Sequence, residues 1–205
     1  MTAIKFCGLR RPEDVAGANE IGPDYVGFVF WEGSRRYITP EQAATLRRDL
    51  NEDIIPVGVF RDADIGTIRS ICETGCISMV QLHGNETETA VRKIRETTGA
   101  EVIRAFVIRS KADVEKALST DADHVMLDGG TGSGTSFDWS LLEGFGRPFF
   151  LAGGLTPENV GGAIERLGPF AVDTSSGIET EGNKDPTKMR RFAEAVAAAD
   201  LRRGV

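Results

Sequence analysis

The feature that most limits what this chain can fold into is a rhythm. Eight short runs of apolar, β-branched or aromatic residues alternate with stretches of helical amphipathic spacing. The runs cover residues 3–6, 25–30, 54–60, 77–82, 101–107, 124–127, 149–152 and 170–174. Most are apolar nearly throughout, as parallel strands are when helices cover their outer face. The intervening stretches predict helices over 12–20, 40–50, 64–73, 86–98, 111–118, 157–167 and 186–199, with a weak one at 140–145. Pro40 and Pro157 each follow a threonine, the order of an N-cap and a first helical residue. Eight such units predict a (β/α)8 TIM barrel forming a single α/β domain over 1–205. The rival is an open doubly wound sheet. It usually needs fewer strands, and the glycine-rich dinucleotide fingerprint after the first strand is missing.

Composition supports the barrel and narrows the partners. At 205 residues, 40% apolar and 27% charged, the chain can bury a large core and is not a disordered or fibrous sequence. Its net charge of −7, with no basic tract, argues against a nucleic-acid partner. Three cysteines, at 7, 72 and 76, make no disulfide framework and point to a reducing compartment. There is no signal-peptide pattern, and no apolar run approaches the roughly 20 residues of a membrane helix. A soluble, cytoplasmic protein without membrane attachment is expected, either monomer or homodimer.

In such barrels chemistry sits on loops leaving the C-terminal ends of the strands. The polar residues there are Cys7, Arg35 with Arg36, Arg61 with Asp62, His83, Arg109, Asp128, Gly153 with Gly154, and Asp173 with Ser175, Ser176 and Gly177. Cys7 ends the first strand and is followed by Gly8, which keeps the thiol approachable. A thiolate is a competent base or nucleophile, although a free cysteine at this position equally reads as a small packing residue. Asp128 ends an apolar strand, so desolvation should raise its pKa and suit it to general-acid work; its other reading is a turn cap. The glycine-rich 129–134 behind it reads as a mobile lid. Segments 151–157 and 172–177 follow strands seven and eight, where backbone N–H groups commonly hold a phosphate. Arg36 has the fork geometry to clamp a carboxylate, or is a solvated loop charge. His83 is a candidate polar contact to substrate, without partners at metal-ligand spacing. Cys72 and Cys76 read as packing residues.

These segments, taken in order, resemble the phosphoribosylanthranilate isomerases of tryptophan biosynthesis over nearly the whole chain. The resemblance is carried by Lys5-Phe6-Cys7-Gly8, by Gly27-Phe28-Val29-Phe30 with Ser34-Arg35-Arg36-Tyr37, and by Val80-Gln81-Leu82-His83-Gly84. It continues through Leu127-Asp128, Gly132-Ser133-Gly134 with Phe137-Asp138-Trp139, Leu151-Ala152-Gly153-Gly154-Leu155, and Val172-Asp173-Thr174-Ser175-Ser176-Gly177 with Glu179 and Lys184. It implies an Amadori rearrangement with Asp128 as general acid and Cys7 as general base. Arg36 would hold the anthranilate carboxylate, and the backbone of Gly153, Gly154, Ser175, Ser176 and Gly177 the phosphate. Asp173 would contact the substrate near the sugar or amine. The partner implied is a small phosphosugar, with no metal or organic cofactor. Two positions depart from the family pattern: Arg35 stands where proline is common, so Arg35 and Arg36 could share one role, and Thr135 stands where a basic residue is common. A histidine-pathway aminoaldose isomerase shares the fold, but Cys7 and the short chain argue against it. A non-catalytic phosphate-binding barrel would need neither Cys7 nor Asp128.

Overall fold

The structure, a computed structural model, describes residues 1–130 and 138–204. The chain runs β1 (Ala3–Cys7), α1 (Pro12–Ile21), β2 (Tyr25–Val29), α2 (Pro40–Asp49), β3 (Ile55–Phe60), α3 (Ile65–Glu73) and β4 (Met79–Leu82). It continues through α4 (Glu88–Thr98), β5 (Glu101–Val107), α5 (Lys111–Ser119), β6 (His124–Asp128), β7 (Phe149–Ala152), α6 (Val160–Leu167) and β8 (Ala171–Thr174). A two-stranded hairpin, β9 (Glu179–Thr180) and β10 (Asn183–Lys184), precedes the last helix, α7 (Pro186–Arg203). Strands β1 to β8 are parallel and close into a barrel, with β1 beside β8. The doubly wound alternative is thereby excluded.

The strands bury both faces, which explains their unbroken apolar character. One set of side chains, including Val26, Phe28, Val80, Leu127 and Val172, packs outward against the helices. The alternate set fills the barrel: Tyr25, Val57, Met79, Ile103, Met126, Phe150 and Ala171 make the interior core. Above it Cys7, Val29 and Val59 form the last apolar layer before the mouth. The period of two therefore decides which residues reach the site.

Several helix boundaries differ from the sequence expectation for local reasons. At α2 the expectation holds: the Thr39 hydroxyl accepts the Gln42 N–H, the Gln42 side chain accepts the Thr39 N–H, and Pro40 opens the helix. Thr156-Pro157 looks alike in sequence, yet α6 starts only at Val160. Asn159 intervenes: its Oδ1 accepts the Thr156 N–H at 2.8 Å and its Nδ2 donates to the Gly154 carbonyl at 3.0 Å, folding the segment into a turn. Residue Glu86, expected at the start of α4, lies outside it, and Thr87 caps the helix. The Glu86 carboxylate instead accepts the N–H groups of Asp62 and Gly84, both at 2.8 Å, tying the loops after β3 and β4 together. The weak helix between β6 and β7 is a single 3-10 turn, Trp139–Leu142. The hairpin after β8 was not expected from sequence. Glu181 and Gly182, both at positive φ, make its tight turn. No helix among the described residues is long and apolar enough to cross a membrane.

The barrel is clasped where it closes. Asp200 of α7 is buried and accepts the backbone N–H of Thr2 at 2.6 Å and its hydroxyl at 2.7 Å, fixing the last helix to the start of β1. Asp200→Ala removes both charge-assisted bonds and strands a buried N–H. We expect a loss of about 3 kcal/mol in urea unfolding, with the m-value unchanged.

Candidate active site

At the C-terminal ends of the strands the barrel opens into a cavity of about 510 Å³. Cys7, Arg36, His83, Asp128, Gly153, Gly154, Asp173, Ser175 and Ser176 all line it, so nearly every candidate from distant parts of the sequence meets at one mouth. Gly177 is not part of this lining, and a side chain there would run into the Leu155 carbonyl. Arg35 is largely exposed and stands outside the cavity, which settles which of the two neighbouring arginines faces in. The glycine-rich lid expected over 129–134 falls mostly on 131–137, outside the described residues. Among the described residues no group of three or more His, Cys, Asp or Glu is placed to hold a metal.

Asp128 sits at the end of β6 with both oxygens engaged. Its Oδ1 accepts the Gly130 N–H at 2.8 Å, and its Oδ2 lies 3.1 Å from His83 Nε2. A side chain on Gly153 would collide with this carboxylate, its Cβ falling 2.7 Å from Oδ1, and the φ of +100° at that residue also demands glycine. Burial raises the Asp128 pKa, as expected from sequence. The hydrogen bond from His83, its charge, and the Gly130 N–H outweigh that, so the carboxyl is held below its usual range. This reverses the expectation of a raised pKa. The omitted influence was a partner just past the end of a strand two positions away.

His83 is itself oriented. Gln81 Nε2 lies 3.2 Å from His83 Nδ1 and 3.3 Å from the Met126 sulfur. With Nδ1 accepting, the ring hydrogen sits on Nε2 and points at Asp128. In this orientation Gln81 Oε1 is buried without a partner among the described residues. Turned over, the same amide would accept from the Nδ1–H of a protonated ring.

Cys7 projects into the barrel two residues above Lys5 on the same face of β1. Burial pushes its thiol up. The Lys5 ammonium opposes this, the Asp173 carboxylate adds to it, and Lys184 opposes it, leaving the pKa raised.

Arg36 is held before any ligand arrives. Its Nε and Nη2 donate to the two oxygens of Glu179 at 2.6 and 2.9 Å, a bidentate pair. Glu179 also accepts from Arg35 Nη2 at 2.9 Å and Lys184 Nζ at 2.8 Å. Burial would raise this carboxyl, but Arg36 and Lys184 hold it low. Lys184 Nζ further donates to the Ser175 carbonyl at 3.0 Å, and Ser175 Oγ donates to the Cys7 carbonyl at 2.8 Å. One chain of contacts thus runs from Arg36 to the strand that bears the thiol. Sequence reasoning gave no role to Lys5, Glu179 or Lys184. Trp31, with the Arg61 guanidinium 4.6 Å over its ring, was also missed; it forms one rim of the cavity.

A closed parallel barrel whose polar mouth joins a carboxyl, a thiol and glycine turns after β7 and β8 defines a TIM-barrel enzyme of acid–base type for a small anionic ligand. The family model for N-(5′-phosphoribosyl)anthranilate (PRA) isomerase matches residues 4–195, and the chain belongs to that family. A protein of that name from Endomicrobium trichonymphae is 42% identical over 194 residues, covering 92% of this chain and 95% of its own. The phosphoribosyl anthranilate isomerase of Thermotoga maritima superposes with a TM-score of 0.90 at 39% identity, covering 97% of this chain and all of its own. A further structure of such an isomerase, solved with reduced 1-(o-carboxyphenylamino)-1-deoxyribulose 5-phosphate, gives 0.87 at 37% identity with the same coverage.

The lowered pKa of Asp128 has a measurable sign. A carboxyl depressed by folding adds stability above its unfolded pKa and loses it as pH falls through the folded value. In His83→Gln the Asp128 midpoint, followed by carboxyl carbon NMR, should move upward, and the acid-side loss of stability should flatten.

Proposed function

We propose that this chain performs the rearrangement of N-(5′-phosphoribosyl)anthranilate to 1-(2-carboxyphenylamino)-1-deoxyribulose 5-phosphate, with Asp128 as acid and Cys7 as base. The observation that carries this reading is the meeting of strands one and six at one mouth, with the thiol and the carboxyl lining the same cavity. Opening an aminoaldose ring needs a proton on the ring oxygen. Shifting the carbonyl then needs a proton removed from C2′.

In this reading the proton given to the ring oxygen belongs to the Asp128–His83 pair as a unit. With a water-excluding ligand in place, the uncharged arrangement of the pair gains, and that arrangement puts the proton on Asp128. The ring opens to a Schiff base, and the Cys7 thiolate takes the C2′ proton. The resulting enolamine tautomerises to the ketone. Arg36 receives the anthranilate carboxylate while its other edge stays on Glu179. Gly153, Gly154, Ser175 and Ser176 surround the phosphate with backbone, Gly177 following them in the chain. Asp173 lies beneath the sugar. The remote phosphate and carboxylate fix the reacting carbons between acid and base.

Purified protein added to freshly prepared phosphoribosylanthranilate should abolish its anthranilate fluorescence rapidly. Cys7→Ala and Asp128→Ala should each lower kcat by about a thousandfold while remaining folded. Turnover near wild type in either variant removes that residue from the reaction. Arg36→Met should act mainly on KM. Because burial raises the thiol, kcat/KM should still be climbing as pH passes from neutral into the alkaline range. A profile flat over that range is inconsistent with a Cys7 base.

A further inference from the structure

Lys5 is a fully buried lysine inside the barrel, and the isomerisation as described above gives it no task. Its Nζ donates to Asp173 Oδ1 at 2.5 Å. A second set of distances ties it to the thiol. The point where a Cβ on Gly27 would stand lies 2.8 Å from Cys7 Sγ and 3.3 Å from Lys5 Nζ. The missing side chain of β2 is thus the space in which ammonium and thiol come together. Register explains why: Lys5 pairs with Asp173 across the β1–β8 seam, and Cys7 pairs with Gly27 across β1–β2.

A buried thiol serves as a base only once it is a thiolate, and a buried anion needs a cation beside it. The groups facing Cys7 can be read element by element. Its own strand offers Lys5, β8 offers Asp173, and β10 offers Lys184, whose charge is already committed to Glu179. Strands β2 and β3 offer Gly27, Val29 and Val59, without charge. Lys5 is therefore the cation that shares the Gly27 space with the thiol, and Asp173 is its competitor for that cation.

We propose that Lys5 is a positioning residue for the base: its ammonium favours the thiolate of Cys7 against the opposing effect of burial, and Asp173 limits how far it does so by sharing the same charge. Ionisation sends the thiol proton to solvent through the cavity mouth and leaves Cys7, Lys5 and Asp173 with one net negative charge, which the C2′ proton later cancels. This deepens the reading of Cys7 as base and rests on it. The Lys5–Asp173 pair then acts as more than a plug in the barrel: it tunes the reaction by dividing one buried positive charge between two anions.

The test reads ionisation without turnover. The rate of Cys7 alkylation by iodoacetamide is followed against pH, resolved by peptide mass spectrometry. Cys72, pushed up to about 11 by burial, and Cys76, also raised, are read separately in the same digest. The midpoint of the profile reports thiolate formation whatever the access to the pocket. In Lys5→Gln, whose amide can still donate to Asp173, the midpoint should rise, with alkylation near neutral pH about tenfold slower. In Asp173→Asn it should fall. Lys5→Arg should restore the midpoint toward wild type. An unmoved midpoint in folded Lys5→Gln overturns the proposal. If that variant does not fold, Asp173→Asn decides, and a midpoint that stays or rises overturns it. Full turnover in Cys7→Ala would instead defeat the base reading while leaving the alkylation result intact.

Discussion

The structure depends on a charge pair that closes the barrel. Where β1 meets β8, register places Lys5 opposite Asp173, both deep in the interior. An ammonium and a carboxylate out of water are each costly alone, and neither can be lost without stranding the other. Every layer above them inherits their position. Cys7 stands two residues above Lys5, and Ser175 two residues beyond Asp173, its hydroxyl donating to the Cys7 carbonyl. The seam that completes the fold is thus also the floor of the site.

A second carboxylate organises the rim. Glu179 gathers two arginines and a buried lysine, and through them joins the loop after β2, the turn after β8 and the hairpin that follows. Further round the barrel, Glu86 fastens the loops after β3 and β4 through their N–H groups. Catalytic loops in a barrel are long excursions from a rigid frame, and here buried carboxylates limit their freedom. The Asp128 side of the mouth follows the same logic, with Gln81 orienting His83 and His83 fixing Asp128.

Much of this was legible in the residue order, and what was not has a common cause. The eight strands follow from unbroken apolar runs, and residues at their ends converge as the fold requires. Helix starts were legible where the cap is local, as at Thr39, and misleading where a nearby side chain competes, as at Asn159. The sign of the Asp128 shift was read wrongly because desolvation is visible in a sequence and a hydrogen bond from His83, just past β4, is not. Lys5 was given no role for a related reason. A single charge inside an apolar strand looks like a residue facing water, and only the register across the closing seam shows that it faces inward.

The Glu179 grip on Arg36 bears on how the mouth can discriminate among ligands. A long, flexible side chain normally gives up rotamer freedom when it seizes a ligand. Here that freedom was surrendered during folding. In the proposed binding mode an incoming carboxylate would meet one fixed edge of a guanidinium. A planar acid of the right length fits that edge without rearrangement, whereas a shorter or bent one would have to break the arginine from its carboxylate. If Arg36 receives the substrate as proposed, the ruler that measures it is set by a contact that the substrate never makes.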